Sequence, residues 1–293
     1  MTGYLERRND VDGRPRWVLG SDAGSRVLPV GTRLVDVFRG LDTLAAHGEG
    51  AEVLDPAGDP LAPVDSDTEV WAAGVTYERS LHARVEESGT PDIYDRVYAA
   101  ERPELFVKSV GWRVSGPGQA ISVRADSEWN VPEPELAAVL DPDGKIFGWT
   151  ICNDVSSRSI EAENPLYLPQ AKVYLGGCAL GPAIVLSSSV PDPYALTISL
   201  TVSREAAVAW TGSTSTSQLR RRVDVLAEYL FRADVFPHGA VLATGTSLVP
   251  ESSFSLSDGD VVRIAIDGIG ELMNPTVRGL VPDHEQRAAA MTQ

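Results

Sequence analysis

Pro132-Glu133-Pro134-Glu135-Leu136-Ala137-Ala138-Val139-Leu140, then Asp141-Pro142-Asp143-Gly144, then Lys145-Ile146-Phe147-Gly148-Trp149-Thr150-Ile151-Cys152-Asn153-Asp154, reads as a β-hairpin: two apolar runs joined at Asp-Gly. A two-residue turn at Asp143-Gly144 pairs position 142 with 145 and, counting outward, sets Glu133 opposite Asp154. Glu135 then lies two residues along on the same side, because side chains alternate with period two and opposed residues share a face. A four-residue loop keeps that parity, whereas a three-residue loop destroys it. Three carboxylates so placed repel one another by roughly 4 kcal/mol per pair at about 4 Å and an effective dielectric of ~20. The face therefore demands a positive group or a shared proton. An all-oxygen carboxylate set is what a hard divalent cation wants, and Mg²⁺ in particular binds a few carboxylates while keeping water positions open for substrate. The competing reading is a solvated acidic edge, natural where Pro132 and Pro134 already spoil strand pairing.

Lysine usage bears on the same face. Of 25 basic residues only Lys108, Lys145 and Lys172 are lysines, and a bias this strong suggests that the remaining ones resist replacement. Lys145 follows the turn and reads as solvated. Lys172 sits between a polar loop and the small-residue apolar segment that runs through Gly176-Gly177-Cys178-Ala179-Leu180-Gly181-Pro182. There a compact ammonium can reach the acidic face; the alternative is an ordinary surface lysine.

The hairpin and four further motifs carry a resemblance. Gly148-Trp-Thr-Ile-Cys-Asn-Asp-Val-Ser-Ser-Arg158-Ser, Lys172 with Ala-Leu-Gly-Pro182 after it, Ala243-Thr-Gly-Thr246 and Gly259-Asp-Val-Val-Arg-Ile-Ala-Ile-Asp-Gly-Ile-Gly-Glu-Leu-Met-Asn274 follow in order. Together they resemble the fumarylacetoacetate hydrolase superfamily over roughly residues 66 to 280. Glu128-Trp-Asn-Val-Pro-Glu-Pro-Glu135 and Ser159-Ile-Glu-Ala-Glu-Asn-Pro-Leu-Tyr-Leu-Pro-Gln-Ala-Lys172 are similar to its sugar-acid branch, the 2-keto-3-deoxy-arabinonate dehydratases. The resemblance implies an α+β, mostly β fold, a mixed β-sandwich roll with a small N-terminal α/β module. It implies that Glu133, Glu135 and Asp154 are metal carboxylates, for Mg²⁺ or else Mn²⁺ or Ca²⁺. Lys172 matches a lysine that touches the substrate's oxygens near the metal, and Thr246 a loop residue that binds the substrate carboxylate. Glu104, in Arg102-Pro-Glu104-Leu-Phe-Val-Lys108, falls where the dehydratase branch places an acidic residue near the substrate. Arg158 matches an arginine that takes part in the hydrolases, and could equally neutralise the acidic hairpin.

One departure matters. Hydrolases of this superfamily read Asn-Tyr-x-x-His, with the histidine helping to activate water. Here the segment is Gly74-Val-Thr-Tyr77-Glu-Arg-Ser80-Leu-His82, with serine in the histidine's slot. Histidine is the side chain best suited to deprotonate water near neutral pH, so its loss weighs against water-mediated carbon-carbon cleavage. Ser80 is expected to hydrogen-bond a substrate hydroxyl or to cap nearby backbone, and His82 to be structural or exposed.

Composition excludes more than it identifies. A net charge of -16 argues against nucleic acid and anionic membrane as partners, and no apolar run approaches the ~20 residues of a membrane span. The first residues lack the hydrophobic segment of a signal peptide. Cys152 and Cys178 have no metal spacing and read as buried thiols. Residues 1–65 read as a leading module and linker, with a strand at Arg16-Trp-Val-Leu-Gly20, a helix over Arg33 to His47 and a Gly- and Pro-rich linker from Gly48 to Asp67. Residues 66–283 form the catalytic unit and 284–293 a tail. Within that unit the pattern predicts a strand from Val70, helices from about Tyr77 to Glu87 and Tyr94 to Glu101, strands at Ala195 to Val202 and Val261 to Ile266, and a helix over Ser217 to Phe231 that carries Arg220-Arg221-Arg222. Gly116-Pro-Gly118 and Gly176-Gly177 lack nucleotide-binding signatures and read as turns.

The reading as a whole is a cytoplasmic, Mg²⁺-dependent lyase, a homodimer or larger homo-oligomer, that dehydrates a 2-keto-3-deoxy pentonate or hexonate. Glu104, Lys172 and Arg158 are the candidate catalytic residues, Ser80 and Thr246 the candidate substrate contacts. The alternatives are a hydrolase, decarboxylase or tautomerase acting on an acylpyruvate-like β-dicarbonyl, and a non-catalytic sugar-acid-binding protein.

Overall fold

The computed structural model describes residues 3–50, 53–54, 60–80 and 91–289. The hairpin lies in the middle of a ten-stranded sheet. From one edge its strands are Gly24–Val27, Pro15–Ser21, Tyr4–Asn9, Cys178–Leu186, Ile146–Asp154, Pro134–Leu140, Ala240–Ala243, Glu69–Gly74 and Glu104–Val110, with Pro60–Leu61 beside Tyr4–Asn9. All pair antiparallel except Ala240–Ala243 with Glu69–Gly74. A five-stranded sheet of Ala207–Ser215, Thr197–Arg204, Val261–Ile266, Gly270–Arg278 and Ile121–Val123 packs on one side. The α+β, mostly β class expected from the sequence is what is found.

Both faces of the hairpin are buried, which is why its strands read as continuous apolar runs. Leu136, Ala138, Leu140, Trp149 and Ile151 meet Ile198, Leu200, Ile264 and Leu272 of the second sheet. On the other face Ala137, Val139, Cys152 and Cys178 join Trp17, Leu34 and Val37, the latter two from the helix Leu34–Ala46. Glu133, Glu135 and Asp154 share the parity of this second face and stand at its end.

The turn differs from the expected one, yet the register survives. Asp141 N donates to Lys145 O at 2.9 Å, so the loop is the three residues Pro142, Asp143 and Gly144, with Gly144 at φ 78°. That loop pairs Leu140 with Ile146, the parity that would have scattered the carboxylates. A bulge between Ile146 and Gly148 then inserts one extra residue, so that Val139 opposes Gly148 and Glu135 opposes Cys152. Two one-residue offsets cancel. Asp154 N donates to Glu133 O at 2.9 Å, and the two acids face each other as counted.

Two other expectations need correction. The helix predicted over Ser217 to Phe231 spans only Val223–Phe231, after a single 3₁₀ turn at Thr216–Gln218. Long-range contacts capture the stretch between: Arg220 N donates to Thr76 O at 3.0 Å, and Arg221 donates to Val97 O at 3.2 Å, Glu101 O at 3.0 Å and Ala100 O. Arg220-Arg221-Arg222 therefore precedes the helix and clasps another, Pro91–Ala99. Nor is Gly48 to Asp67 a free linker among its described residues, because Glu49 bridges Val27 and Pro60–Leu61 pairs with Arg7 and Arg8. Sheet edges supply the partners that a polar, Pro-rich composition hides. Of the helix expected from Tyr77, residues 78–80 are helical; the remainder, with His82, lies outside the described residues.

Candidate metal centre and active site

One oxygen from each of Glu133, Glu135 and Asp154 lies within 4.8 Å of the other two. The three side chains belong to residues only 3 %, 2 % and 1 % exposed, which excludes the solvated-edge reading. Three cations answer them. Lys172 Nζ donates to Glu133 Oε2 at 2.6 Å, Asp154 Oδ2 at 3.0 Å and Ser156 Oγ at 2.6 Å, so it is no surface lysine. Arg158 Nη2 pairs with Glu133 Oε1 at 2.8 Å and its Nη1 lies 3.9 Å from Glu161. Lys108 Nζ sits 2.6 Å from Asp154 Oδ1.

Each cation is delivered by local structure. Arg158 opens the short helix Arg158–Glu163, capped by Ser157, whose hydroxyl accepts from Ile160 N at 3.4 Å. Lys172 ends the helix Leu168–Lys172, just before the chain enters the strand that flanks the hairpin. Lys108 belongs to the edge strand Glu104–Val110 and shares its face with Glu104 and Phe106, which line the cavity above the carboxylates.

Glu135 receives the least positive charge. One oxygen accepts from Gly245 N at 2.7 Å, in the Thr244-Gly245-Thr246 loop. Gly245 is at φ 89°, and a Cβ there would collide with the Thr76 hydroxyl, which donates to Thr244 O at 2.6 Å. Only glycine brings that N–H to the carboxylate. Burial, then the charges of Asp154 and Glu133, push the Glu135 carboxyl well above the usual range against the pull of Lys172 and the Gly245 N–H. Burial likewise raises the Tyr77 hydroxyl nearby.

The cavity gathers all eight residues singled out from the sequence: Ser80, Glu104, Glu133, Glu135, Asp154, Arg158, Lys172 and Thr246. Ser80 performs the capping alternative, donating to Tyr77 O at 2.7 Å. Thr246 Oγ1 accepts from Leu248 N at 3.1 Å. The Glu104 carboxylate rests on Gly74, where a Cβ would strike it. Beside it Val75 holds φ 51°, a strained setting for a β-branched residue at the cavity rim. Lys145 is solvated as expected, its side chain 77 % exposed. Cys152 and Cys178 are buried free thiols 3.9 Å apart.

The fumarylacetoacetate hydrolase C-terminal family profile matches residues 69–278, a span that contains every one of these side chains. The chain belongs to the fumarylacetoacetate hydrolase family. Within that family it is 50% identical to a probable 2-keto-3-deoxyxylonate dehydratase of Haloferax volcanii, over 87% of this chain and 89% of that protein. It is 48% identical to the 2-dehydro-3-deoxy-D-arabinonate dehydratase of Saccharolobus solfataricus, over 73% and 72%. A solved structure of 2-keto-3-deoxy-D-arabinonate dehydratase complexed with magnesium and 2,5-dioxopentanoate superposes with a TM-score of 0.84 at 38% identity, over 94% of this chain and 99% of that one.

Sequence reading missed Lys108, Glu161, the Gly245 N–H and the apolar wall of Ile93, Tyr94 and Val97 from Pro91–Ala99. For Lys108 two signals existed: the scarcity of lysine, and a spacing of four from Glu104 that puts both on one face of a strand. Glu161 stands three residues from Arg158, a spacing that brings the two together on a helix; the Gly245 N–H and the apolar wall depend on contacts distant in sequence.

Proposed function

We propose that this fumarylacetoacetate hydrolase family member is a Mg²⁺-dependent hydro-lyase that removes water from a 2-keto-3-deoxy sugar acid, a pentonate or hexonate. The observation that carries the reading is a buried carboxylate trio that shares one cavity with Lys172 and Glu104, in a chain half identical to sugar-acid dehydratases. The donor set fits the ion: three buried carboxylates, all oxygen, of which Glu135 is held by the Gly245 N–H and pushed well above the usual carboxylate range by burial and by its two acidic neighbours. Glu133, Glu135 and Asp154 would hold it. A cation there supplies a Lewis acid beside the substrate's 2-keto oxygen.

The protein's own groups do the rest. Thr246 and its loop orient the C1 carboxylate, and the Lys172 ammonium donates to the substrate's oxygens as negative charge gathers on them. Glu104, which lines the same cavity, takes the C3 proton. The C3–C4 double bond forms as the C4–O bond breaks, and the departing hydroxyl leaves as water with a proton from Lys172 or from protonated Glu104. The conjugated product then shifts to its keto or aldehyde tautomer. Arg158 offsets the charge of Glu133, and Ser80 holds the turn at the rim. We place the chemistry in residues 66–283, after a leading module of 1–65 and before a tail of 284–293. Among the described residues no helix is long and apolar enough to cross a membrane. The working state in this reading is a cytoplasmic homodimer or higher homo-oligomer.

The test is substrate choice. Cleavage of an acylpyruvate needs a base that activates water, and Ser80 offers none. Mass spectrometry should show 2-keto-3-deoxypentonates or -hexonates losing water and no carbon, with acylpyruvates at least about a hundredfold slower, the scale of a missing general base. Faster acylpyruvate cleavage would hand the site to the hydrolase alternative.

A further inference from the structure

Three lysines meet three different fates. Lys145 is in solvent, Lys172 lines the cavity, and Lys108, 0 % exposed, lies beneath it. An ammonium has three N–H groups and no more. Lys108 Nζ is 2.8 Å from Val155 O, 2.6 Å from Lys172 O and 2.6 Å from Asp154 Oδ1. Its three oxygens thus include the backbone on each side of the centre and one carboxylate oxygen of Asp154. Asp154 Oδ1 makes no well-angled hydrogen bond, so the ion pair with Lys108 is what holds that oxygen. Lys172 grips the other oxygen of the same carboxylate, together with Glu133 Oε2. Two of its partners are therefore oxygens of carboxylates that would hold a cation.

We propose that Lys108 is a positioning residue: it locks Asp154 and the main chain of Lys172, so that on cation binding only the Lys172 side chain is released toward substrate. This rests on the metal reading above and adds a division of labour between two lysines that charge alone would not separate. A divalent cation held by Glu133 and Asp154 would compete with the Lys172 ammonium for those carboxylates. It competes less with Lys108, two of whose three acceptors are backbone carbonyls outside the carboxylate set. The freed ammonium stays within reach of the cavity because Lys108 still pins the carbonyl of Lys172.

The scarcity of lysine makes this measurable. Protein labelled with ¹³C,¹⁵N-lysine and stripped of metal gives three ε-methylene signals: Lys145 is the exposed one, Lys172→Met removes a second, and Lys108 is the third. On titration with Mg²⁺ the Lys172 signal should move and those of Lys108 and Lys145 should hold. A Lys108 signal that moves as far as that of Lys172, or a Lys172 signal that stays put while calorimetry shows Mg²⁺ bound, overturns the division. An absence of Mg²⁺ heat removes the metal reading itself, and the division with it. Where Lys108→Met folds, it should shift the Lys172 signal before any metal is added and lower kcat about tenfold or more with KM within about threefold, the cost of a misplaced group. A fall in Tm with the Lys172 signal and kcat unchanged would make Lys108 merely structural.

Discussion

The floor of the cavity and its wall are built by opposite means. The floor is one hairpin, whose carboxylates are placed by strand register and sealed by burial on both faces. The wall is assembled from a strand end at Glu104, a turn at Ser80, the helix Pro91–Ala99 and the 3₁₀ turn Pro165–Tyr167. Its helix is tied down by Arg221 from a distant segment. Charge chemistry sits where the sheet fixes it, and the surface that shapes the substrate sits where long-range contacts can be altered without disturbing the sheet.

The strongest way to break this contrast is to attack the floor. Chelation should abolish activity and added Mg²⁺ should restore it, while Glu135→Gln weakens Mg²⁺ binding by roughly tenfold or more in calorimetry. The stripped protein should also betray the raised Glu135. Its folded value lies above the unfolded one, so the fold is favoured when it is protonated. The penalty is absent below the ordinary carboxylate value of about 4.3 and grows as pH rises from there toward the folded value. Tm of the stripped protein should therefore fall as pH rises through that window, and Mg²⁺ should remove the slope. Activity that survives chelation would mean the floor is only scaffold.

The next effect in size tests whether the wall also does chemistry. Glu104→Gln keeps the shape of a half-buried side chain against Gly74 and removes its basicity. Steady-state kinetics should show kcat lower by ~10²-fold with little change in KM. A silent substitution would leave the floor as the whole catalytic apparatus.

The same contrast governs what could be read in advance. Period-two counting sets Glu133 opposite Asp154, and the pairing is found, although by a three-residue loop and a compensating bulge rather than a two-residue turn. Register is strongly specified where both faces are buried, so the core repaired what the turn displaced. Val261–Ile266 and the helix Leu34–Ala46 were legible for the same reason, as each shows its period plainly. Lys108 was visible as a rare residue but its role was not, since its partners Val155 O, Asp154 and Lys172 O lie far along the chain. The arginine triplet was misplaced because helical periodicity continues through Leu219 and Val223, while the backbone between them bends at Arg220 and Arg221, held by Thr76 and by the helix it clasps.

The smallest effect isolates the wall as a shape. Arg221 does not itself line the cavity; it caps the carbonyls of Val97, Ala100 and Glu101 at the end of the helix that presents Ile93, Tyr94 and Val97. Hydrogen bonds from a charged donor contribute about 1.5–3 kcal/mol, and partial exposure reduces what Arg221→Met should lose to about 1 kcal/mol. That corresponds to roughly a fivefold change in an equilibrium. If the helix serves only to enclose substrate, the loss should appear in KM, with kcat within about twofold and the Mg²⁺ affinity of the floor unchanged. A fall in kcat at constant KM would instead show that the helix sets the position of Glu104 or the substrate's C3, and the line between floor and wall would have to be drawn elsewhere.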